Sequence, residues 1–192
     1  IQFSVPIAKF GTIKHKLAEM ATRTYAIESA TYRAGNEIEK NIKRLESEGI
    51  NHQEAHLKGI EEYAIECSIA KVLGSETIQF CSDEGIQIFG GMGYSADTPM
   101  EAAYRDARIA RIYEGTNEIN RMLLVGMILK KAMKGKLDIM TPAMKVASEL
   151  MSIPSFDTPD ETTLFSLEKK HLKKLKKAIL MTAGKAAQYY AM

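Results

Sequence analysis

Nowhere does this chain alternate apolar and polar residues as a half-buried β-strand must; its apolar residues recur at three- and four-residue steps. Proline, which breaks that pattern, stands only at positions 6, 99, 142, 154 and 159. A chain patterned this way buries its apolar surface as packed helices. Its 192 residues, 45% of them hydrophobic, are enough for a core.

The first helix is expected from about Phe10 into the forties, with Ile13, Leu17, Met20, Tyr25 and Ile27 on its apolar stripe. Between positions 37 and 58 the sequence turns polar. Gly49-Ile50-Asn51 there reads as a helix end, a turn and a new start. A second helix should run from about Gln53 to Ser82, its inner face made of Ala64, Cys67, Ala70, Gly74, Ile78 and Cys81. Most of these are small, so a neighbouring helix can come close. Thr98-Pro99-Met100-Glu101 and Thr158-Pro159-Asp160-Glu161 each put threonine at an N-cap, proline at the first helical position and glutamate three residues after the cap. The threonine oxygen should accept an orphan N–H while the glutamate reaches back. Thr141-Pro142 starts a further helix without the glutamate. Another helix begins at Asn117 and continues through Ile119, Met122, Leu123, Gly126 and Met127, and the tail beyond Lys134 is a separate, basic helical region.

The 26 basic and 24 acidic residues leave a net charge of +2, which excludes a general nucleic-acid binder needing surplus positive charge on one face. No apolar run reaches the ~18 residues of a membrane span. Cys67 and Cys81, without a CxxC, are expected to be reduced core thiols. His52 and His56 have the i,i+4 spacing of a metal-binding pair. No further ligand is evident beside them, so a solvent-facing pair without metal is expected. The eleven methionines read as stripe residues and gap-fillers. The lysine-rich run 169–177, with Leu172, Leu175 and Ile179 beneath it, reads as a packed helix with one solvated face; a membrane-surface helix over 161–180 is the alternative. The chain opens on Ile1 with no basic, apolar and small-residue leader, as a cut inside a longer protein would.

Two segments carry chemistry. In Ile112-Tyr113-Glu114-Gly115-Thr116-Asn117 a carboxylate sits on a tight connection just before a helix, Gly115 allows an unusual backbone angle, and Thr116 is placed to cap the next helix. The helix N-terminus favours negative charge. A positioned base and a simple dipole complement both fit. In Gln87-Ile88-Phe89-Gly90-Gly91-Met92-Gly93-Tyr94 three glycines in four positions come after a helix. They suit either backbone approach to a phosphate or a helix C-cap and turn. No strand precedes them, so a Rossmann reading fails.

Together, in this order and with Arg105-Asp106-Ala107-Arg108-Ile109 between them, these segments resemble the C-terminal domain of the acyl-CoA dehydrogenases. Ile1-Gln2-Phe3, Pro6-Ile7, Phe10-Gly11 and Lys16-Leu17-Ala18-Glu19-Met20-Ala21 add to the likeness. It covers residues 1 to about 130, and beyond that the chain looks like the very-long-chain branch, with its additional helical region. The resemblance implies an all-α fold: an antiparallel four-helix bundle over 1–133, then an additional helical region over 134–192. It implies an FAD enzyme of fatty acid β-oxidation in which Glu114 takes the α-proton of an acyl-CoA thioester and the β-hydride leaves for the flavin. Trans-2-enoyl-CoA results, and an electron-transfer flavoprotein reoxidises the flavin. By the same likeness Gln87, Ile88, Phe89, Gly90 and Gly91 serve the adenosine diphosphate part of FAD across a subunit interface, with Phe10 and Gly11 beside them. Thr116 and Glu118 lie near the flavin of their own site; 118 is Glu where many relatives have Gln or Asp. Tyr113 and Gly115 line the thioester. A homo-oligomer, a dimer in the simplest case, is implied as well.

The family's flavin-contacting arginine would fall just before Ile1, and its N-terminal helical and β-domains are not in this sequence, so the segment alone is expected to be inactive and to bind FAD poorly. A bacterial member would be cytoplasmic; a mitochondrial one would lie in the matrix or on the inner-membrane surface. An acyl-CoA oxidase or flavin monooxygenase on the same fold is the rival enzyme reading, and a non-catalytic assembly or scaffold relative is the rival outside enzymes. Arg105 is expected only to pair with Glu101 along a helix face.

Overall fold

The computed structural model describes residues 4–150 and 163–190. Among these there is no β-strand. After a short 3-10 turn at Ile7–Lys9, the helices are α1 (Gly11–Ser47), α2 (His52–Glu62), α3 (Ala64–Phe89), α4 (Gly91–Tyr94), α5 (Pro99–Ile109), α6 (Asn117–Met133), α7 (Met140–Leu150) and α8 (Ser166–Tyr190). The all-α class is as expected. The chain divides into two units, Ile1–Ile128 and Leu129–Met192.

In the first unit α3 is the hub. It packs antiparallel to α1, with Lys16 paired to Glu84 at one end and Ile27 beside Gly74 further along. It also packs against α5, where Met100 fills the space over Gly85. The expected single helix from Gln53 to Ser82 is two helices. Tyr63 donates its N–H to the Ile60 carbonyl at 3.1 Å, and the chain bends there without any proline or glycine to announce it. The bend keeps α2 on the C-terminal end of α1, where Ile42, Leu45 and Ala55 form a small core with Ile38 and Ile50. It also turns α3 back along α1. α3 then continues seven residues past Ser82, so Gln87, Ile88 and Phe89 are helical and not part of a loop.

The expected inner face of α3 is only partly right. Ser68, Val72, Ser75, Ser82 and Gly85 are its buried residues, while Cys67 and Ile78 are exposed. Both cysteines are free thiols, but only Cys81 is partly covered; Cys67 is not in a core. On α1, Leu17 and Tyr25 are exposed and the buried pair is Ile42 and Leu45. α6 begins at Asn117 as read. It is tied to α3 by side chains of its first turn, and Ile119, Met122 and Leu123 stay exposed.

Two helix starts differ from expectation in detail. Thr98 sits at the N-cap of α5 with Pro99 next, but its hydroxyl makes no cap bond. It donates instead to the Met92 carbonyl at 2.7 Å and so ties α4 to α5. α7 starts at Met140, before Thr141, because Asp138 accepts the Thr141 N–H at 3.0 Å. The Thr158-Pro159-Asp160-Glu161 start lies outside the described residues. Arg105 pairs with Glu101 as read. In the second unit α7 packs on the C-terminal half of α8, with Val146 buried and a Lys177–Glu149 ion pair. Among the described residues no helix is long and apolar enough to cross a membrane.

Of the three glycines after α3, Gly93 is a packing residue. A β-carbon there would stand 2.5 Å from the Ile86 carbonyl oxygen and 2.8 Å from its Cα, both backbone atoms that cannot move aside. Gly93→Ala should therefore cost about 1–3 kcal/mol. Gly85→Ala should cost less, since only the flexible end of Met100 stands in the way. Thermal unfolding of the two variants checks this, and equal losses would contradict it.

Candidate active site

The connection from α5 to α6 is the most constrained turn in the first unit. Glu114 has φ +56°, in the left-handed region that a side chain resists, and Gly115 comes next at φ +79°. Such a conformation costs of order 1–3 kcal/mol at a non-glycine residue and persists only where its surroundings impose it. Here they do. The Asn120 amide donates to the carbonyls of Gly115 at 2.9 Å, Thr116 at 3.1 Å and Glu114 at 3.4 Å. Lys71 on α3 donates to the Gly115 carbonyl at 2.6 Å. Thr116 accepts the Ile119 N–H at 3.3 Å, the cap expected of it.

Beneath the turn lies Asn117, the largest fully buried side chain among the described residues. Its amide donates to Ser75 at 3.0 Å and to Glu76 at 3.4 Å, and its carbonyl accepts from Lys71 at 2.9 Å. Arg121 closes the network on Glu76 at 2.5 Å. The Arg121 hydrogen bond holds the Glu76 carboxyl below the usual carboxylate range, against the opposing effect of burial. Its own backbone N–H, and then the Thr116 hydroxyl, hold Glu118 low in the same way. Both stay ionised at neutral pH. Lys71, Ser75, Glu76, Asn117, Asn120 and Arg121 were not singled out from the sequence. The signal for Asn117 and Asn120 was their place in the first turn after Gly115-Thr116. For the α3 residues there was none, because their partners lie more than forty positions away.

The Glu114 carboxylate itself is exposed, as are Tyr113, Gly115 and Glu118, while Thr116 is half-buried. This chain alone therefore gives the carboxylate no dry wall. A notch of about 380 Å³ lies nearby between α3 and α5, lined in part by Gln79 and Arg111. Gln79 Oε1 and Arg111 Nε are both buried there without a hydrogen-bond partner.

The glycine turn lies elsewhere. Gln87, Phe89, Gly90 and Gly91 are exposed and Ile88 is half-buried. Gly90 has φ +63°, and no atom stands within 4 Å of a β-carbon built on Gly90 or Gly91, so that backbone is bare. Phe10 and Gly11 begin α1 at this same end, as the Lys16–Glu84 pair requires. From Lys71, which holds the Glu114 turn, to Phe89 is roughly 25 Å at 1.5 Å per helical residue. The structure does not bring the two candidate clusters together within one chain.

The profile described as "Acyl-CoA dehydrogenase, C-terminal domain" matches residues 1–129. The chain belongs to the acyl-CoA dehydrogenase family. It is 44% identical over 191 residues to a probable acyl-CoA dehydrogenase of Bacillus subtilis, covering 98% of this chain and 32% of that protein. It superposes on an acyl-CoA dehydrogenase of Bacillus anthracis, crystallised with FAD, with a TM-score of 0.89 and 46% identity, over 99% of this chain and 32% of that one. A mitochondrial very-long-chain-specific acyl-CoA dehydrogenase of Rattus norvegicus is 37% identical over 123 residues, 64% of this chain and 16% of its own. The chain thus spans about a third or less of these family members, and the B. subtilis likeness runs through the second unit.

Proposed function

We propose that this chain is the helical portion of a flavin-dependent acyl-CoA dehydrogenase in which Glu114 removes the α-proton of a fatty acyl-CoA thioester, yielding a trans-2-enoyl-CoA. The Glu114 backbone carries this reading. A strained residue with an exposed carboxylate, pinned by Asn120 and Lys71, aims a side chain at something outside this chain. An α-C–H is a very weak acid, so its base must be held within contact distance in a site closed to water. The walls of that site come from other parts of the assembled enzyme. The Glu114 N–H polarises the thioester carbonyl as charge builds on it. Tyr113 and Gly115 flank the thioester, and Thr116 and Glu118 border the flavin.

Bound FAD would supply the hydride acceptor. The bare backbone at Gly90 and Gly91, beside exposed Gln87 and Phe89, half-buried Ile88, and Phe10 and Gly11 at the same end, fits the adenosine diphosphate part. Because that end is so far from Glu114, one subunit's glycine turn serves its partner's flavin, and the enzyme is a homo-oligomer, a dimer in the simplest case. Its electron acceptor is an electron-transfer flavoprotein, by the family likeness. Mixing the full-length protein anaerobically with fatty acyl-CoA thioesters should bleach its visible flavin absorbance. Unchanged colour across short, medium and long chains would overturn the reading.

Peripheral membrane contact through α8 is part of the same proposal. α7 covers the C-terminal half of α8, whereas Leu172, Leu175 and Ile179 are exposed beside the lysines of 169–177. An apolar stripe flanked by lysines suits an anionic bilayer surface. The protein should co-sediment with anionic liposomes at low salt and leave them at high salt. No salt-sensitive binding would remove this part.

A further inference from the structure

The turn between α1 and α2 brings together three side chains that the function above does not use. Glu46 lies in the last turn of α1, His52 opens α2, and His56 stands one turn further on the same face. The sequence offered His52 and His56 no third ligand. The fold supplies one, because the Gly49 turn folds α2 back along α1. His52 Nδ1 is 2.6 Å from Glu46 Oε1, and the two imidazole rings are 4.3 Å apart between centroids. One ligand atom from each of the three residues lies within 4.8 Å of the others.

We propose that Glu46, His52 and His56 form a zinc site that clips the end of α1 to the start of α2. Two imidazole nitrogens and one carboxylate oxygen suit Zn²⁺, with a water in the fourth position of a tetrahedron. Calcium and magnesium want about six oxygen ligands and are poorly served here. Bonds of roughly 2.0–2.1 Å bring tetrahedral ligand atoms to about 3.4 Å from one another. Rotation of the two exposed imidazoles and the half-buried Glu46 carboxylate covers the difference.

The backbone positions need no rearrangement, because the small core lies directly beneath. Leu45 precedes Glu46 and is buried, and Ala55 precedes His56 and is fully buried. Asn51 caps α2 by accepting the Glu54 N–H at 3.0 Å, and the Ile50 N–H reaches the Leu45 carbonyl at 3.1 Å. Neighbouring cations are engaged locally: Arg44 pairs with Glu48 at 2.6 Å and Lys58 with Glu54 at 2.7 Å. Little positive charge is left to repel an incoming ion.

Calorimetric titration of the full chain with zinc chloride tests the site. One equivalent should bind and raise the melting temperature. Glu46→Gln and His56→Asn should each weaken binding by about tenfold or more, on the scale seen when groups supporting a metal are lost. His56 is exposed, and Glu46→Gln keeps the size of a half-buried side chain, so circular dichroism should show an unchanged fold in both variants. His15→Asn, in the separate His15–Glu19 pair, and Cys67→Ser should leave the titration as it is. Unchanged affinity in Glu46→Gln would reduce the site to a histidine pair and overturn the proposal. So would loss of binding in either control, or no binding at all.

Discussion

In the full-length protein, Glu114→Gln should lower the rate of flavin reduction by acyl-CoA about 10²–10⁴-fold, the range that positioned acid–base groups contribute. The substitution keeps shape and length. It leaves the left-handed backbone at φ +56° and its hydrogen bonds to Asn120 intact, since those involve only the carbonyl. It removes only the capacity to accept a proton. Flavin content and substrate binding should therefore stay near wild type while anaerobic bleaching slows. Rapid-mixing absorbance separates these quantities. Near-normal bleaching in the variant would move the base to another side chain.

Asn117→Ala should cost about 2–4 kcal/mol in denaturant unfolding. The side chain is fully buried and holds Ser75, Lys71 and Glu76 at once. Truncation loses these bonds and strands partners that cannot all reach water, each worth about 1–3 kcal/mol when left unsatisfied. Lys71 keeps its bond to the Gly115 carbonyl, which moderates the total. The same change should loosen the first turn of α6 and with it the aim of Glu114. In the full-length enzyme flavin reduction should then slow even where the variant remains folded. A loss below about 0.5 kcal/mol, the size of an ordinary surface substitution, would contradict this account of the network.

These two residues mark how far the sequence could be read. Glu114 was legible because it stands before Gly115-Thr116 at a helix start and because the order of motifs resembles a known family. Its left-handed backbone was not legible, since a glycine at 115 says nothing about φ at 114. Asn117 stood in the same motif, yet nothing local distinguishes a buried amide from an exposed one at a helix start. Its burial depends on Lys71, Ser75 and Glu76 more than forty positions earlier. The bend at Tyr63 was missed because no glycine or proline marks it. The expected end at Ser82 was too early, because α3 runs on through Gly85, where Met100 fills the space above it.

By itself the sequence determined the helical class, the turn at Gly49, the tight connection at Glu114-Gly115 and the start of α6 at Asn117. Each rests on periodicity or on turn and cap chemistry within a few residues, where the backbone answers to its neighbours. Tertiary structure alone decided which faces are buried, that Gly93 packs on Ile86 while Gly90 and Gly91 stay bare, and that Glu46 joins His52 and His56. Those outcomes depend on which distant side chains come to share a volume, and local pattern carries no record of that.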